Sequence, residues 1–211
     1  MSMKVYSRRQ LMMEISKPYD AEVEWLQTDG TAYIDTGIKA TSSITTEGEY
    51  DITSNLGGNL AVFGGRVAVN NNSNVLFHYQ KEGNLTNGWR FGNGEKTGNA
   101  GNAIGTFAFS NKESARVMKI NNLTLTCASS TFTTVYNIFI FAVNNGGGVM
   151  GITANSVVLK LKYFKMYSSG VLVRDYIPVR KNGVGYLYDK VTKTLYGNAN
   201  STGAFVYGND V

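Results

Sequence analysis

Short runs of β-prone residues alternate with glycine- and asparagine-rich corners along nearly the whole chain. Residues 31–36 read TAYIDT and stop at Gly37, residues 60–63 read LAVF and stop at a Gly-Gly pair, and residues 75–79 read VLFHY after an Asn-rich corner. Short runs with period-two hydrophobicity, bounded by such residues, are typical of β-strands. No segment keeps a helical period for more than two turns. The pattern predicts about twelve to fifteen strands, at the spacing of an all-β sandwich.

Four segments make this prediction specific. Residues 135–143 read VYNIFIFAV, with apolar side chains on both faces, which favours a central strand covered on each side. The strand over 157–167 changes phase near Tyr163-Phe164, where a bulge would rotate its exposed face. The step Asn121-Asn122 predicts a two-residue hairpin turn. Residues 92–105 are rich in Gly and Asn and predict a surface loop.

The first 22 residues differ from the rest of the chain. They combine basic residues and methionines without alternation, and Pro18 interrupts the backbone pattern. We predict an N-terminal arm over 1–22 and one sandwich domain over 23–211. The arm is either a frayed terminus or an anchor that docks on a neighbouring subunit. The residues assigned to docking are Arg8, Arg9, Leu11, Met12 and Met13.

Composition indicates a folded chain and excludes some classes of binding partner. Of 211 residues, 43% are hydrophobic and only 17% are charged, which excludes the disordered class. The net charge of +5 comes from scattered basic residues, so we predict no nucleic-acid partner. No apolar run reaches the ~7 residues of a secretory core or the ~18 of a membrane span. We therefore expect synthesis in a cytoplasm and no membrane span. The single cysteine, Cys127, predicts a buried, inert thiol.

Two segments together carry a family resemblance. Residues 25–37 read WLQTDGTAYIDTG, and residues 163–209 begin YFKMYSSGVLVRDYIP; residues 138–142 between them also fit. The combination resembles the concanavalin A-like, laminin-G-like domains of gut Bacteroidales proteins and of the phages that infect these bacteria. The resemblance implies an all-β, two-sheet antiparallel sandwich of the jelly-roll type, with both termini paired in one sheet. It also implies that Arg174 and Asp175 form a structural ion pair or turn bond at a strand end.

This fold hosts lectins, glycosidases, adhesins and particle components, so the resemblance leaves the function open. Alternation places Glu47, Glu49 and Asp51 on one face of a strand, as in glycosidases of this fold class. Here Gly48 and Tyr50 stand between the carboxylates and the order of Glu and Asp differs from the family motif. We therefore predict a solvated strand face and no catalytic residue.

Sugar binding would require exposed aromatic rings. Trp89 is the best candidate, with Tyr79 and His78 close by in the sequence, although Trp89 also suits the core. His78 is the only histidine, which excludes a His-rich zinc site. We predict no cofactor and leave calcium open, because Asp29, Asp35 and Asp189 could supply oxygen ligands without a diagnostic spacing.

The leading hypothesis is a non-enzymatic virion protein of a tailed phage, made in the host cytoplasm: a capsid decoration, fibre or tail component. Its arm would bind other virion proteins, its sandwich would be displayed for glycans of the host surface, and we expect a homo-oligomer. The alternatives are a glycan-binding module at a bacterial cell surface and, third, a glycoside hydrolase.

Overall fold

The computed structural model describes residues 17–54, 60–67, 75–80, 86–102, 104–150 and 159–211. These residues contain nineteen strands and no helix. The strands are Ala21–Glu22 (β1), Leu26–Thr28 (β2), Ile34–Thr41 (β3), Ile44–Ile52 (β4), Leu60–Arg66 (β5), Val75–Gln80 (β6), Thr86–Gly92 (β7), Gly94–Asn99 (β8), Gly105–Ser110 (β9), Val117–Ile120 (β10), Leu123–Thr126 (β11), Thr133–Ile140 (β12), Val143–Asn145 (β13), Gly148–Met150 (β14), Leu159–Ser168 (β15), Val171–Lys181 (β16), Val184–Asp189 (β17), Thr194–Tyr196 (β18) and Phe205–Tyr207 (β19).

The strands form two sheets that pack face to face. The first sheet has eleven strands, with the order β11-β10-β9-β4-β15-β16-β17-β18, and β1, β2 and β19 join it beside β15 and β16. The second sheet has eight, in the order β14-β13-β5-β6-β7-β8, with β12 paired to both β3 and β5. Pairing is antiparallel except between β5 and β13. The predicted all-β sandwich is confirmed. The number of strands exceeds the predicted number because strands of two or three residues are too short to show alternation in the sequence.

Of the four segments predicted in detail from the sequence, some are confirmed by the structure and one is wrong. The hairpin at Asn121-Asn122 is confirmed, since Ile120 pairs with Leu123. The bulge in β15 is confirmed by the register shift between Leu161 and Tyr163. The predicted central strand is confirmed as far as β12 has a paired strand on each edge, but its two faces are not both covered throughout, since Val135 is 72% exposed. The predicted surface loop over 92–105 is wrong, because six of its fourteen residues, Gly94–Asn99, form the largely exposed strand β8. Strand pairing uses backbone groups and needs no apolar side chain.

The core lies between the inner faces of the two sheets and is rich in aromatic rings. Phe63 of the second sheet packs against Phe164 and Phe109 of the first, with ring centroids 5.1 and 5.7 Å apart. Tyr50 stacks on Phe107 at 5.4 Å within the first sheet. Such pairs add about 1 kcal/mol each to the burial of their area. Cys127 is buried and free, as predicted.

Both ends of the described chain meet at the first sheet. β1 pairs with the end of β16, β19 pairs with β2, and Val23 forms a bridge with Asp210. Tyr19, which the sequence analysis placed in the arm, packs on Tyr188 with centroids 4.9 Å apart. The residues assigned to docking lie outside the described residues: Arg8, Arg9, Leu11, Met12 and Met13.

Candidate functional site

The three aromatic residues predicted to bind glycan lie in the interior. Trp89 and His78 have 0% of their surface exposed, and Tyr79 has 7%. Trp89 contacts Phe63 and Phe91 in the main core. Tyr79 lies on the opposite face of the second sheet, in a small cluster with Ala61, Val75 and Val143. A sugar stacks only on an accessible ring face, so the structure assigns these residues to packing rather than to glycan binding.

His78 belongs to a buried polar cluster between the two sheets. The Tyr50 hydroxyl lies 3.4 Å from His78 Nε2 and donates to Asn87 Oδ1 at 3.4 Å. Burial lowers the pKa of His78 to about 3, and it raises the pKa of Tyr50 well above its usual value. Both groups are therefore neutral near pH 7 and sealed from solvent. The cluster connects β4 of the first sheet with β6 and β7 of the second.

The three carboxylates on β4 share the outer face of the first sheet, since their positions alternate with buried ones. Lys162 Nζ donates to Glu49 Oε1 at 2.9 Å and lies 2.9 Å from Asp51 Oδ1. Burial lowers the pKa of Lys162, but the hydrogen bonds that its ammonium donates to Asp51 and Glu49 outweigh the effect of burial, so the pKa of Lys162 is raised. This lysine therefore stays charged between the two carboxylates.

Glu47 has its own partners. It accepts a hydrogen bond from the Tyr167 hydroxyl and lies 3.8 Å from Lys112 Nζ. The strip Glu47, Glu49 and Asp51 is therefore an ion-paired strand surface on the outer face of the first sheet.

A shallow depression opens beside this strip on the same outer face. Its volume is about 220 Å³, below the usual size of a small-molecule pocket. Tyr163 supplies the aromatic surface and Asn121, Ser110 and Lys119 supply polar groups. The depression, called here the Tyr163 depression, is lined by Glu47, Ala108, Phe109, Ser110, Lys119, Asn121 and Tyr163.

Tyr163 faces outward because of the bulge in β15. The register shift between Leu161 and Tyr163 lets Phe164 point into the core while Tyr163 stays half-exposed. Burial, followed by the charges of Glu49 and Glu47, raises the pKa of Tyr163, so its hydroxyl stays neutral. Sequence analysis missed this residue as a site, although the phase change near Tyr163-Phe164 was its signal.

The candidate calcium ligands are engaged as turn acceptors. Asp29 Oδ1 accepts from the Thr31 amide at 2.8 Å, and its Oδ2 accepts from the Ala204 amide at 2.6 Å. Asp35 accepts from the Gly37 amide at 2.9 Å. Within the described ranges, no group of three or more His, Cys, Asp or Glu side chains could hold a metal ion.

Asp189 is the centre of a second polar cluster. From the sequence it was predicted only as a possible calcium ligand. It is fully buried and lies 3.7 Å from Arg174 Nε through Oδ2. Its Oδ1 accepts from the Asp175 amide at 2.8 Å, and its Oδ2 accepts from the Thr192 hydroxyl at 2.6 Å. Asp175 itself pairs with Lys190 at 3.2 Å. The Arg174-Asp175 motif thus ties β16 to the turn after β17.

Comparison with protein-family models, curated proteins and solved structures found no match to this chain. In the part of the chain that the structure describes, no helix is long and apolar enough to cross a membrane. The resemblance to concanavalin A-like domains is carried by the sequence segments quoted above and stays a prediction.

Proposed function

We propose that this chain is a non-enzymatic structural protein of a tailed-phage particle, which is anchored at one end and presents its sandwich at the other. The anchor end is where the two chain ends meet. Arg180, near the end of β16, forms a 2.7 Å ion pair with Asp210 and lies 3.6 Å from Asp20. Lys17, the first described residue, forms a 2.8 Å ion pair with Glu22 of β1 at this end of the first sheet.

The opposite end of the same strand carries exposed apolar side chains. β16 has eleven residues, which span about 35 Å at ~3.3 Å per residue. Val171 is 66% exposed and Leu172 is 37% exposed at its start, beside the Ser169-Gly170 turn. We infer that this adjacent apolar pair contributes to contact with another subunit. This separation of anchor and tip is the observation that supports the proposal.

The outer face between the two ends supports a display role. The Tyr163 depression offers one aromatic ring among polar groups, as a shallow site for a single sugar would. The neighbouring carboxylates are held by Lys162, Lys112 and Tyr167. A surface of this kind can bind a host glycan without cleaving it.

The protein composition of purified phage particles tests this proposal. Particles purified from lysed host cells should contain the full chain in a fixed ratio to the major capsid protein, measured by quantitative mass spectrometry. A chain that lacks residues 1–16 should keep the same far-ultraviolet spectrum but stay in the soluble fraction. The variant Val171→Ser/Leu172→Ser should reduce incorporation or subunit association without loss of fold. Purified particles that lack the chain would contradict the proposal.

A glycan-binding module at a bacterial cell surface is the second candidate, and the Tyr163 depression favours it. The purified full chain should then bind sugars on a glycan array, and Tyr163→Ala should abolish that binding. Tyr136→Ala is the matched control, because Tyr136 is also half-exposed but lies in the second sheet. Binding that survives Tyr163→Ala would exclude this site.

A glycoside hydrolase is the third hypothesis. We expect no turnover of polysaccharides by the purified chain. Turnover that is lost in both Glu47→Gln and Glu49→Gln would overturn the non-enzymatic proposal.

A further inference from the structure

Arg66 is a buried guanidinium at the end of β5, on the second sheet. Only 5% of the residue is exposed. Its Nε donates to Asn145 Oδ1 at 2.6 Å, and its Nη2 lies 3.0 Å from Met150 Sδ. Asn145 is held opposite Arg66 by the parallel pairing of β13 with β5. Both side-chain partners are neutral, and a thioether is a weak acceptor.

The charge of Arg66 is not balanced by a carboxylate among the described residues. Glu95, an acidic residue of the same sheet on β8, is engaged by Arg90 at 2.9 Å and by the Tyr79 hydroxyl. Burial lowers the pKa of Arg66, and the like charge of Arg90 lowers it further. Buried charges are normally paired, because an unpaired one loses its hydration without compensation.

We propose that Arg66 is the centre of an oxyanion-binding site that takes a carboxylate or sulfate group from outside the chain. The guanidinium is a planar fork whose N–H groups match such oxyanions in pairs. Among the described residues, Asn145 Oδ1 is the one strong acceptor that this fork uses. The turn between β13 and β14, next to Arg66, is exposed at Gly147 and Gly148, which carry no side chains.

The site is separate from the Tyr163 depression, which lies on the other sheet. An acidic sugar or a free inorganic oxyanion could supply the ligand group, and both present the same chemistry to Arg66. Failure of this proposal would leave the proposed particle function untouched, because none of the anchor, tip or depression residues takes part.

Thermal unfolding of the full chain tests the proposal. Sodium sulfate, sodium acetate and sodium glucuronate are compared with sodium chloride at equal ionic strength, and glucose serves as the neutral control. Sulfate stabilises most proteins by exclusion from their surface, so the site-specific effect is the difference between wild type and Arg66→Gln. We expect all three oxyanions to raise the wild-type midpoint more than that of Arg66→Gln, with glucose inactive. A larger effect of glucuronate than of acetate would identify a sugar acid as the source.

Matched variants keep the result interpretable. Arg180→Gln removes an exposed guanidinium that Asp210 already holds, so it should retain the wild-type response. Arg66→Lys keeps the charge but loses the fork, and its apparent affinity should fall about tenfold. Arg66→Met removes the charge beside Met150 and should unfold at a higher temperature than wild type in chloride, because an uncompensated buried charge is lost.

Two outcomes would overturn the proposal. One is an equal response of wild type and Arg66→Gln to every oxyanion. The other is a response seen only after substitution of an acidic residue outside the described ranges, Glu14→Gln or Glu82→Gln, because the counter-charge would then be internal.

Discussion

At the scale of single residues, His78 shows how burial changes the role of a side chain. Its ring lies 5.9 Å from that of Phe63 and 5.2 Å from that of Phe109, with the Tyr50 hydroxyl as its polar neighbour. No charged group contacts it among the described residues. The imidazole is therefore kept neutral by desolvation, and its protonation is coupled to unfolding.

This coupling predicts an acid-sensitive fold. The pKa of His78 is about 3 in the folded chain and about 6.5 when unfolded, so below pH 6.5 only the unfolded state takes up the proton. The free energy of unfolding should fall by about 1.4 kcal/mol per pH unit from this residue as the pH drops toward 3. Urea unfolding of wild type and His78→Gln should converge in stability as the pH is lowered. Parallel curves would show that His78 is not the source.

Asp189 illustrates a buried acceptor on which several backbone groups depend. Asp189→Asn removes the charge opposite Arg174 and one acceptor of the Thr192 turn. The expected loss is about 3 kcal/mol in the free energy of unfolding, because a buried partner is left uncompensated. Asp210→Asn is the control, since it breaks an exposed pair with Arg180 and should change stability far less. Equal losses would contradict the structural role.

At the scale of elements, the pairing of β6 with β7 depends on a glycine. Tyr79 lies directly opposite Gly88, and a Cβ at position 88 would overlap the Tyr79 ring. The ring covers the glycine backbone and donates its hydroxyl to Glu95. Aromatic cover of a strand glycine is a known way to fix register.

Gly88→Ala should therefore destabilise the second sheet through Tyr79. We expect a loss of about 2 kcal/mol in the free energy of unfolding from the forced movement of the ring. In Tyr79→Ala/Gly88→Ala the clash is absent, so the two losses should be less than additive in a double-mutant cycle. Gly148→Ala is the control for adding a methyl group without a clash, since the nearest atom would lie 3.7 Å from the new Cβ. Gly101→Ala would not serve, because Gly101 has a positive φ of 94° and any side chain there is strained. Additive losses would contradict this account.

Element prediction failed where side chains carry little of the signal. β8 reads GEKTGN and lies at the edge of the second sheet, bonded to β7 along its length. Its side chains are mostly exposed, so no alternation marks it in the sequence. β15 was predicted well because its apolar positions face a dense core, and even its bulge left a visible change of phase.

At the scale of the whole molecule, the sandwich closes through its last strand. β19 pairs with β2, and Phe205 packs on Phe141 with ring centroids 5.5 Å apart. β2 also pairs with β15, so the C-terminal strand completes the first sheet beside the longest hairpin.

Removal of this strand should destabilise the entire domain. A chain that ends at Gly203 loses the burial of Phe205, worth about 3–5 kcal/mol, and leaves β2 with an open edge. We expect a lower thermal midpoint and concentration-dependent aggregation, measured by light scattering. A chain that ends at Tyr207 keeps β19 but loses the Arg180–Asp210 ion pair and the Val23–Asp210 bridge, so its thermal midpoint should fall clearly less than that of the chain that ends at Gly203. Equal behaviour of the two truncated chains would contradict this closing role.

Period-two hydrophobicity and glycine corners specify an all-β sandwich without any knowledge of contacts, because the alternation within each strand shows which of its faces is buried. The roles of Trp89 and Tyr163 could not be assigned in the same way. Each lies in a strand with apolar neighbours, and its exposure depends on which face meets the opposite sheet and on a one-residue bulge. The unbalanced charge of Arg66 likewise became visible only when β5, β13 and β7 were brought together. Local pattern encodes burial along one strand, whereas a site arises from side chains distant in sequence, whose meeting depends on register and packing.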